Sequence, residues 1–213
     1  MFTGIVQEIG TIVGVENAGG GQRMTIEAPA SARELHVSDS VAVNGVCQTV
    51  IAKSVSTFYV EAVEETLKKT TFSRMRRGSR LNLELPVRLS DRLGGHLVLG
   101  HVDTVGVVHA CEERERSRLI TIEYPVEFSK YVIPVGSIAV DGVSLTIASV
   151  RAHSFEVSVI PHTLTKTTLD ERAVGDEVNL EFDVVGKYVE RLISSRGISE
   201  LTWEKLRSWG FDA

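Results

Sequence analysis

The stretch SVAVNGVCQTV (residues 40–50) returns 97 residues later as SIAVDGVSLTI (residues 137–147). Extended without a gap, the match lays residues 40–85 over 137–182 with 17 of 46 positions identical. Ordinary compositions would give roughly 6%, or about three. EETLKKTTF at 64–72 falls on PHTLTKTTL at 161–169, and LNLEL at 81–85 on VNLEF at 178–182. A shift of 96 lays residues 4–29 over 100–125 with 8 of 26 identical, including TIEAP over TIEYP. Two copies of a unit of about 90 residues are a duplicated domain; solenoid repeats are shorter and more numerous.

Each copy reads as strands. In the first, TGIVQEIGTIVGV bends at its glycines and GQRMTIEA returns as its hairpin partner, with the tip at Asn17–Gly21 (NAGGG). In the second, the tip falls in the charged run EERERSR at 112–118, a solvated turn. DSVAVNG, CQTVIAK, TFYVEAV and SRLNLEL supply four more strands, punctuated by Asn-Gly, Asp-Gly and Gly-Ser. Six short strands per unit predict a closed barrel, because closure removes exposed edges. The expected organisation is an N-terminal barrel over 1–88, a polar linker over 89–96, a C-terminal barrel over 97–185 and a helical tail over 186–213. Within the tail, GKYVERLISSR (186–196) puts Tyr188, Val189, Leu192 and Ile193 on one helical face, and SELTWEKLRSW (199–209) reads as a second helical piece.

Composition narrows the function. Valine supplies 30 of the 213 residues against 7 Phe, 4 Tyr and 2 Trp, which favours strands. A net charge of −5 argues against a nucleic-acid or anionic-membrane partner, which would require a basic face. The longest apolar runs are about half a membrane span, and MFTGIVQEIG lacks the pattern of a signal peptide. With two distant cysteines, Cys47 and Cys111, and no disulfide framework, the expected location is the cytoplasm.

The familiar chemical motifs are missing. His96 and His101, five apart on a presumed strand, would face opposite ways, and neither CxxC nor HExxH occurs, so no metal is expected. The glycine run 17–21 leads into a strand, without the helix N-terminus that cradles phosphate. Ser144 follows a turn into a strand, unlike a hydrolase nucleophile on its strand-to-helix elbow. Both copies keep turn-Gly-Val-x-x-Thr, ending in Thr49 and Thr146, and T-L-x-K-T-T. Read blandly, these glycines and threonines only build barrels. The copies differ, however, beside those retained turns: Asn44 against Asp141, Cys47 against Ser144, Gln48 against Leu145, Glu65 against His162, Ile5 against His101. Related pockets with different side chains suit a reaction in which two like molecules play unequal roles.

At these residues the chain resembles the riboflavin synthases. The resemblance runs through MFTGIV, NGVCQTV, ETLKKTT, GGHLVLGHVD, IAVDGVSLT, IPHTLTKTT and DVVGKYVERL, in order and at family spacing. It implies an all-β chain of two tandem six-stranded Greek-key β-barrels plus a C-terminal α-helix that trimerises three chains. It also implies dismutation of two 6,7-dimethyl-8-ribityllumazine molecules to riboflavin and a ribitylaminouracil, with no metal or redox cofactor. The substrate pair would lie between the N-barrel of one chain and the C-barrel of the next, and association with a lumazine synthase is a further partner that the family suggests.

Carried over residue by residue, the resemblance gives an N-barrel pocket of Gly4, Ile5 and Val6 with Cys47, Gln48 and Thr49 and with Glu61, Ala62, Val63, Glu64, Glu65 and Thr66. The C-barrel pocket is Gly100, His101 and Val102 with Ser144, Leu145 and Thr146 and with Ser158, Val159, Ile160, Pro161, His162 and Thr163. Strand-edge peptides in these segments suit the alternating donors and acceptors of a pyrimidinedione. Proton removal from the 7-methyl group falls to His101 with Ser144 and Thr146, Asp103 being expected on the same strand face as His101. Cys47 is the candidate nucleophile at C7. Two residues depart from the family pattern: Gln48 stands where Leu is common, and Val135 where many members carry a basic residue that reaches the ligand across the interface. The competing reading is a lumazine- or flavin-holding protein without turnover. A flavin-reductase barrel is a third, but it needs a nucleotide-binding half for which the chain has no room.

Overall fold

A computed structural model describes residues 1–195 and Arg207. The first barrel is built from β1 (Glu8–Ala18), β2 (Gly21–Glu27), β3 (Ser40–Val43), β4 (Val46–Lys53), β5 (Thr57–Ala62) and β6 (Arg80–Glu84). The second uses β7 (Thr104–Arg114), β8 (Ser117–Glu123), β9 (Ser137–Val140), β10 (Val143–Val150), β11 (Ser154–Val159) and β12 (Glu177–Phe182). Both close, the first in the order β1-β2-β5-β4-β3-β6 and the second in the equivalent order β7-β8-β11-β10-β9-β12. The duplication read from the sequence is a duplication of topology.

Alternation fills each barrel. On β5, Phe58, Val60 and Ala62 point inward and are fully buried, while Glu61 is exposed. Ile12, Met24, Ile26, Leu81 and Leu83 complete that interior; Ile120, Ile122, Phe155, Val157 and Leu180 fill the second. Burial of each such side chain contributes about 1.5–3 kcal/mol. A bulge interrupts β1 between Ile12 and Gly14, and another the corresponding place in β7 between Val108 and Ala110, which bends the long first strand around its barrel.

Three local features differ from the sequence expectation. The segment T-L-x-K-T-T does not extend a strand. After an unrelated short helix α1 (Pro29–Glu34), it forms the short helices α2 (Glu64–Lys69) and α3 (Pro161–Lys166), and the threonine that follows each acts as a hinge. Thr70 donates to the Thr66 carbonyl at 2.7 Å and accepts from the Phe72 amide at 3.2 Å, and Thr167 repeats both bonds. Hydroxyls that bond the local backbone this way favour helix ends over ladders. Next, the first strand begins at Glu8; Gln7 still donates to the Leu83 carbonyl of β6 at 2.9 Å, and the residues before it leave the ladder. The charged run 112–118 also lies mostly on strand ends, β7 running to Arg114 before the turn.

The barrels meet across a polar junction. Asn82 on β6 donates to the Asp141 carbonyl (3.0 Å) and accepts from the Thr168 amide (2.8 Å). Asn179 on β12 mirrors it, donating to the Asn44 carbonyl (2.9 Å) and accepting from the Thr71 amide (2.8 Å). At the same junction Gly45 and Gly142 bring their backbones together; a Cβ on either would sit 2.7 Å from the other's amide nitrogen. One asymmetry stands out: Asn44 bonds the Asn82 amide (2.7 Å), whereas its counterpart Asp141 is fully buried and also pairs with Arg172 at 2.7 Å. Burial pushes the Asp141 pKa up, opposed by the Arg172 guanidinium.

The helix α4 (Val184–Ser195) forms a unit separate from residues 1–183. Tyr188, Val189 and Ile193 are exposed on it. The second helical piece expected over 199–209 lies, apart from Arg207, outside the described residues.

Candidate functional site

Two arms cross between the barrels. Residues 1–7 precede β1 and residues 94–103 precede β7. They pair with each other first, the Phe2 amide donating to the Val98 carbonyl at 2.7 Å and the Val98 amide returning at 3.1 Å. Phe2 and Val98 are buried together against Ala42 and Ala139, one from each barrel. Past that bridge the arms part. The Gly4 carbonyl accepts the Ser144 amide at 2.8 Å, and the Gly100 carbonyl accepts the Cys47 amide at 2.9 Å. Val6 then packs on the core of the second barrel and Val102 on that of the first.

Glycine is required at both crossings. Gly4 and Gly100 have φ of +77° and +80°, and a Cβ on either would lie 2.5 Å from the Cβ of Ser144 or Cys47. Only a residue without a side chain lets the arm approach so closely at that φ.

This arrangement regroups the expected pockets. Gly4, Ile5 and Val6 stand with Ser144, His162 and Thr163 around a cavity of about 320 Å³, rather than with Cys47. Gly100, His101 and Val102 belong to the arm that reaches Cys47. The two copies have the same turn, so the sequence alone did not reveal that each arm serves the other barrel.

In the C-barrel group, Leu145 packs on the core and Val159 is buried, Thr146 and Ser158 are exposed, and Ile160 is exposed where Pro161 begins α3. Lys166 and Thr167 also line the cavity. In the N-barrel group Cys47 is half-buried. Gln48 is buried, its Nε2 donating to the Cys47 carbonyl at 2.9 Å, and its Oε1 has no partner among the described residues. Thr49 and Val63 are exposed, Ala62 is in the core, and Thr66 supplies its carbonyl to Thr70. Glu61 faces Arg23 at 3.6 Å, while Glu64 and Glu65 pair with Lys68 and Lys69 at 2.7 Å. The hydrogen bond and charge of Lys69 hold the Glu65 carboxyl below its ordinary range. Val135, 80% exposed at φ +62°, projects away from the core.

The proton-handling residues are also redistributed. Ser144 Oγ lies 2.7 Å from Nδ1 of His96, not against His101. His96 is buried, its Nε2 has no partner among the described residues, and burial lowers its pKa against the opposing charge of Asp183. His96 and His101 are not on a strand, so the opposite-face argument does not apply: the arm is irregular until β7 starts at Thr104. His101 is exposed, with its backbone amide on Glu181 at 3.0 Å. Asp103 accepts the Phe182 amide at 2.9 Å and so braces β12.

Two buried carboxylates went unread in the sequence. Glu84 accepts from the Thr3 amide (2.6 Å), the Thr3 hydroxyl (2.8 Å) and the Gly4 amide (2.9 Å). Glu181 accepts from the amides of Leu99 (2.7 Å), Gly100 (2.9 Å) and His101 (3.0 Å). Burial raises the Glu84 pKa, and the bonds from Thr3 and Gly4 oppose it. The available signal was N-x-E at 82–84 and 179–181, identical in both copies and sharing one strand face.

Among the described residues no group of His, Cys, Asp and Glu could hold a metal ion, and no helix is long and apolar enough to cross a membrane.

The family model for the lumazine binding domain matches residues 3–86 and again 99–183. The riboflavin synthase of Mycobacterium tuberculosis is 46% identical over 201 residues, 92% of this chain and 100% of that one. Those of Actinobacillus pleuropneumoniae (37%, 99% of this chain and 100% of that one) and Bacillus subtilis (38%, 91% and 90%) are similar over nearly the whole length. Among solved structures, LumP complexed with riboflavin superposes with a TM-score of 0.80 at 25% identity, covering 85% of this chain and 99% of that one. LumP complexed with 6,7-dimethyl-8-(1'-D-ribityl) lumazine gives 0.78, covering 85% and 98%. With two matched lumazine-binding domains and full-length relatives of one activity, the chain belongs to the riboflavin synthase family.

Proposed function

We propose that the protein converts two molecules of 6,7-dimethyl-8-ribityllumazine into riboflavin and 5-amino-6-(D-ribitylamino)uracil. One lumazine donates a four-carbon unit to the other. The products contain between them all the atoms of the two substrates, so the balance calls for no external oxidant or reductant. The observation that carries this reading is the pair of crossed sites: the same peptide edge occurs twice, at Gly4 with Ser144 and at Gly100 with Cys47, with different side chains beside it. The C-barrel cavity, about 320 Å³, is at the small end of the range for ligand sites and suits one bicyclic ring.

The division of labour follows from the side chains. Burial favours neutral His96, and in the tautomer protonated at Nε2 its Nδ1 accepts from the Ser144 hydroxyl, so that the pair takes a proton from the 7-methyl group of a lumazine in the C-barrel site. Thr146, two residues along the same strand and exposed, offers its hydroxyl to the ribityl chain. In the other site His101 is the exposed proton carrier, and the half-buried Cys47 thiol is the candidate for addition at C7. Activation of one ring and deprotonation of the other match the unequal roles that the reaction needs.

The two sites face each other in a homotrimer in which the N-barrel of one chain meets the C-barrel of the next, each repeat being a Greek-key lumazine-binding domain. The exposed Tyr188, Val189 and Ile193 of α4 and the projecting Val135 support this, as apolar side chains that assembly would cover. The enzyme works in the cytoplasm and can associate with a lumazine synthase that supplies its substrate. The alternative, a lumazine- or flavin-holding protein without turnover, has less support, since the similar full-length relatives are riboflavin synthases. Incubation with the lumazine and detection of riboflavin absorbance and fluorescence separates the two readings. Tight binding without conversion would favour the second.

A further inference from the structure

We propose that Glu84 and Glu181 are positioning residues that act across the barrel boundary, each setting the substrate site of the opposite barrel. This rests on the reading of the two crossed sites as lumazine sites. Each glutamate sits near the end of the last strand of its own barrel, 5% and 3% exposed, and each satisfies three donors on one arm. The arm then leaves that barrel: the one held by Glu84 docks on Ser144, the one held by Glu181 on Cys47.

The arms bond each other at Phe2, Thr3, His96 and Val98, but no strand ladder continues through Gly4 or Gly100, so the geometry there depends on what fixes the amides. A carboxylate is suited to this task. It accepts on both oxygens, and its charge strengthens each bond. At Glu84 one oxygen takes the Thr3 amide and hydroxyl and the other takes the Gly4 amide, which fixes the peptide just before the one whose carbonyl meets Ser144. At Glu181 the amides of three successive residues, Leu99, Gly100 and His101, are held together, which aims the Gly100 carbonyl at Cys47 and sets the backbone of His101. Glutamine cannot replace either residue: it keeps the shape but turns an N–H toward one of these donors. The two clamps occupy the same register position in both repeats, so the crossing is reciprocal.

A carboxylate with an ordinary structural role would act on its own barrel; a clamp acts on the other one. Two readouts on the full-length protein separate these cases. The first needs no ligand: amide hydrogen exchange. Glu84→Gln should speed exchange at the Ser144 amide at least tenfold and leave the Cys47 amide unchanged, and Glu181→Gln should do the converse. Acceleration confined to the glutamate's own barrel, or equal at both amides, overturns the proposal. Should Glu84→Gln fail to fold, Thr3→Val, which removes one donor and keeps the carboxylate, should give the same crossed pattern more weakly.

The second readout is titration with 6,7-dimethyl-8-ribityllumazine where one pocket mouth is filled, by His162→Trp on the C-barrel side or Glu65→Trp on the N-barrel side. With the C-barrel site left open, Glu84→Gln should weaken affinity about tenfold and Glu181→Gln less than twofold. With the N-barrel site left open, the order should reverse. Lumazine failing to bind the unsubstituted protein would overturn the functional reading, while the exchange pattern would still decide the clamp.

Discussion

Nδ1 of His96 lies 2.7 Å from Oγ of Ser144, joining a residue of the second arm to a strand residue of the second barrel. Because the two act through one hydrogen bond, their contributions are coupled. His96→Ala and Ser144→Ala should each lower turnover by about 10²-fold, the lower end for a general acid–base group, and the double variant should be little worse than either. Steady-state kinetics of the three variants check this. Effects that multiply would mean the two residues act separately.

The same pair has a pH signature. Burial lowers the folded-state pKa of His96 from its ordinary 6.5. As pH falls below 6.5 the unfolded chain therefore takes up the proton first. The stability contributed by neutral His96 is fully present above 6.5 and is lost as pH falls through the folded-state value. Denaturant unfolding at several pH values should show this acid loss in the native protein and a smaller one in His96→Gln. An equal loss in both would assign the acid sensitivity elsewhere.

The crossings depend on glycine in a way the hairpin tip does not. Gly4→Ala and Gly100→Ala each place a methyl group 2.5 Å from a neighbouring Cβ, so each should raise KM at least tenfold. Gly20→Ala, also at positive φ (+93°) but with open space around it, costs only the backbone strain of about 1–2 kcal/mol and should leave KM unchanged. A normal KM for Gly4→Ala would contradict the close approach of the arm to Ser144.

The junction offers a swap between copies. Arg172→Met leaves the fully buried Asp141 without its cation and should cost about 3–5 kcal/mol. Adding Asp141→Asn recreates the first barrel's own combination of Asn44 and Met75, one repeat away, and should restore most of the loss. At about 2–4 °C per kcal/mol for a chain of this size, thermal unfolding resolves both steps. Failure of the second substitution to restore stability would mean that the Asp141 charge itself holds the junction.

What could be read in advance follows from what a sequence encodes locally. The repeat, the six strands of each barrel and the chemistry of the turn segments were legible, since alternation and punctuation fix strands, and Gly45 with Gly142 mark the same turn twice. The crossing of the arms was not: Gly4 fits against Cys47 or Ser144 equally well when both copies carry the same turn. His96 stands on an irregular arm where the sequence suggests a strand, and nothing local marks Glu84 or Glu181 as different from other strand residues. Their repeated N-x-E spacing with Asn82 and Asn179, whose amides bond the other barrel, is the sign that the sequence carries.

The central claim is dismutation of two lumazines, and product stoichiometry tests it most directly. Purified protein given only 6,7-dimethyl-8-ribityllumazine should consume two molecules for each riboflavin formed and release one ribitylaminouracil alongside it, both quantified by chromatography. Lumazine bound and returned unchanged, or riboflavin formed without the pyrimidine product, would contradict the account.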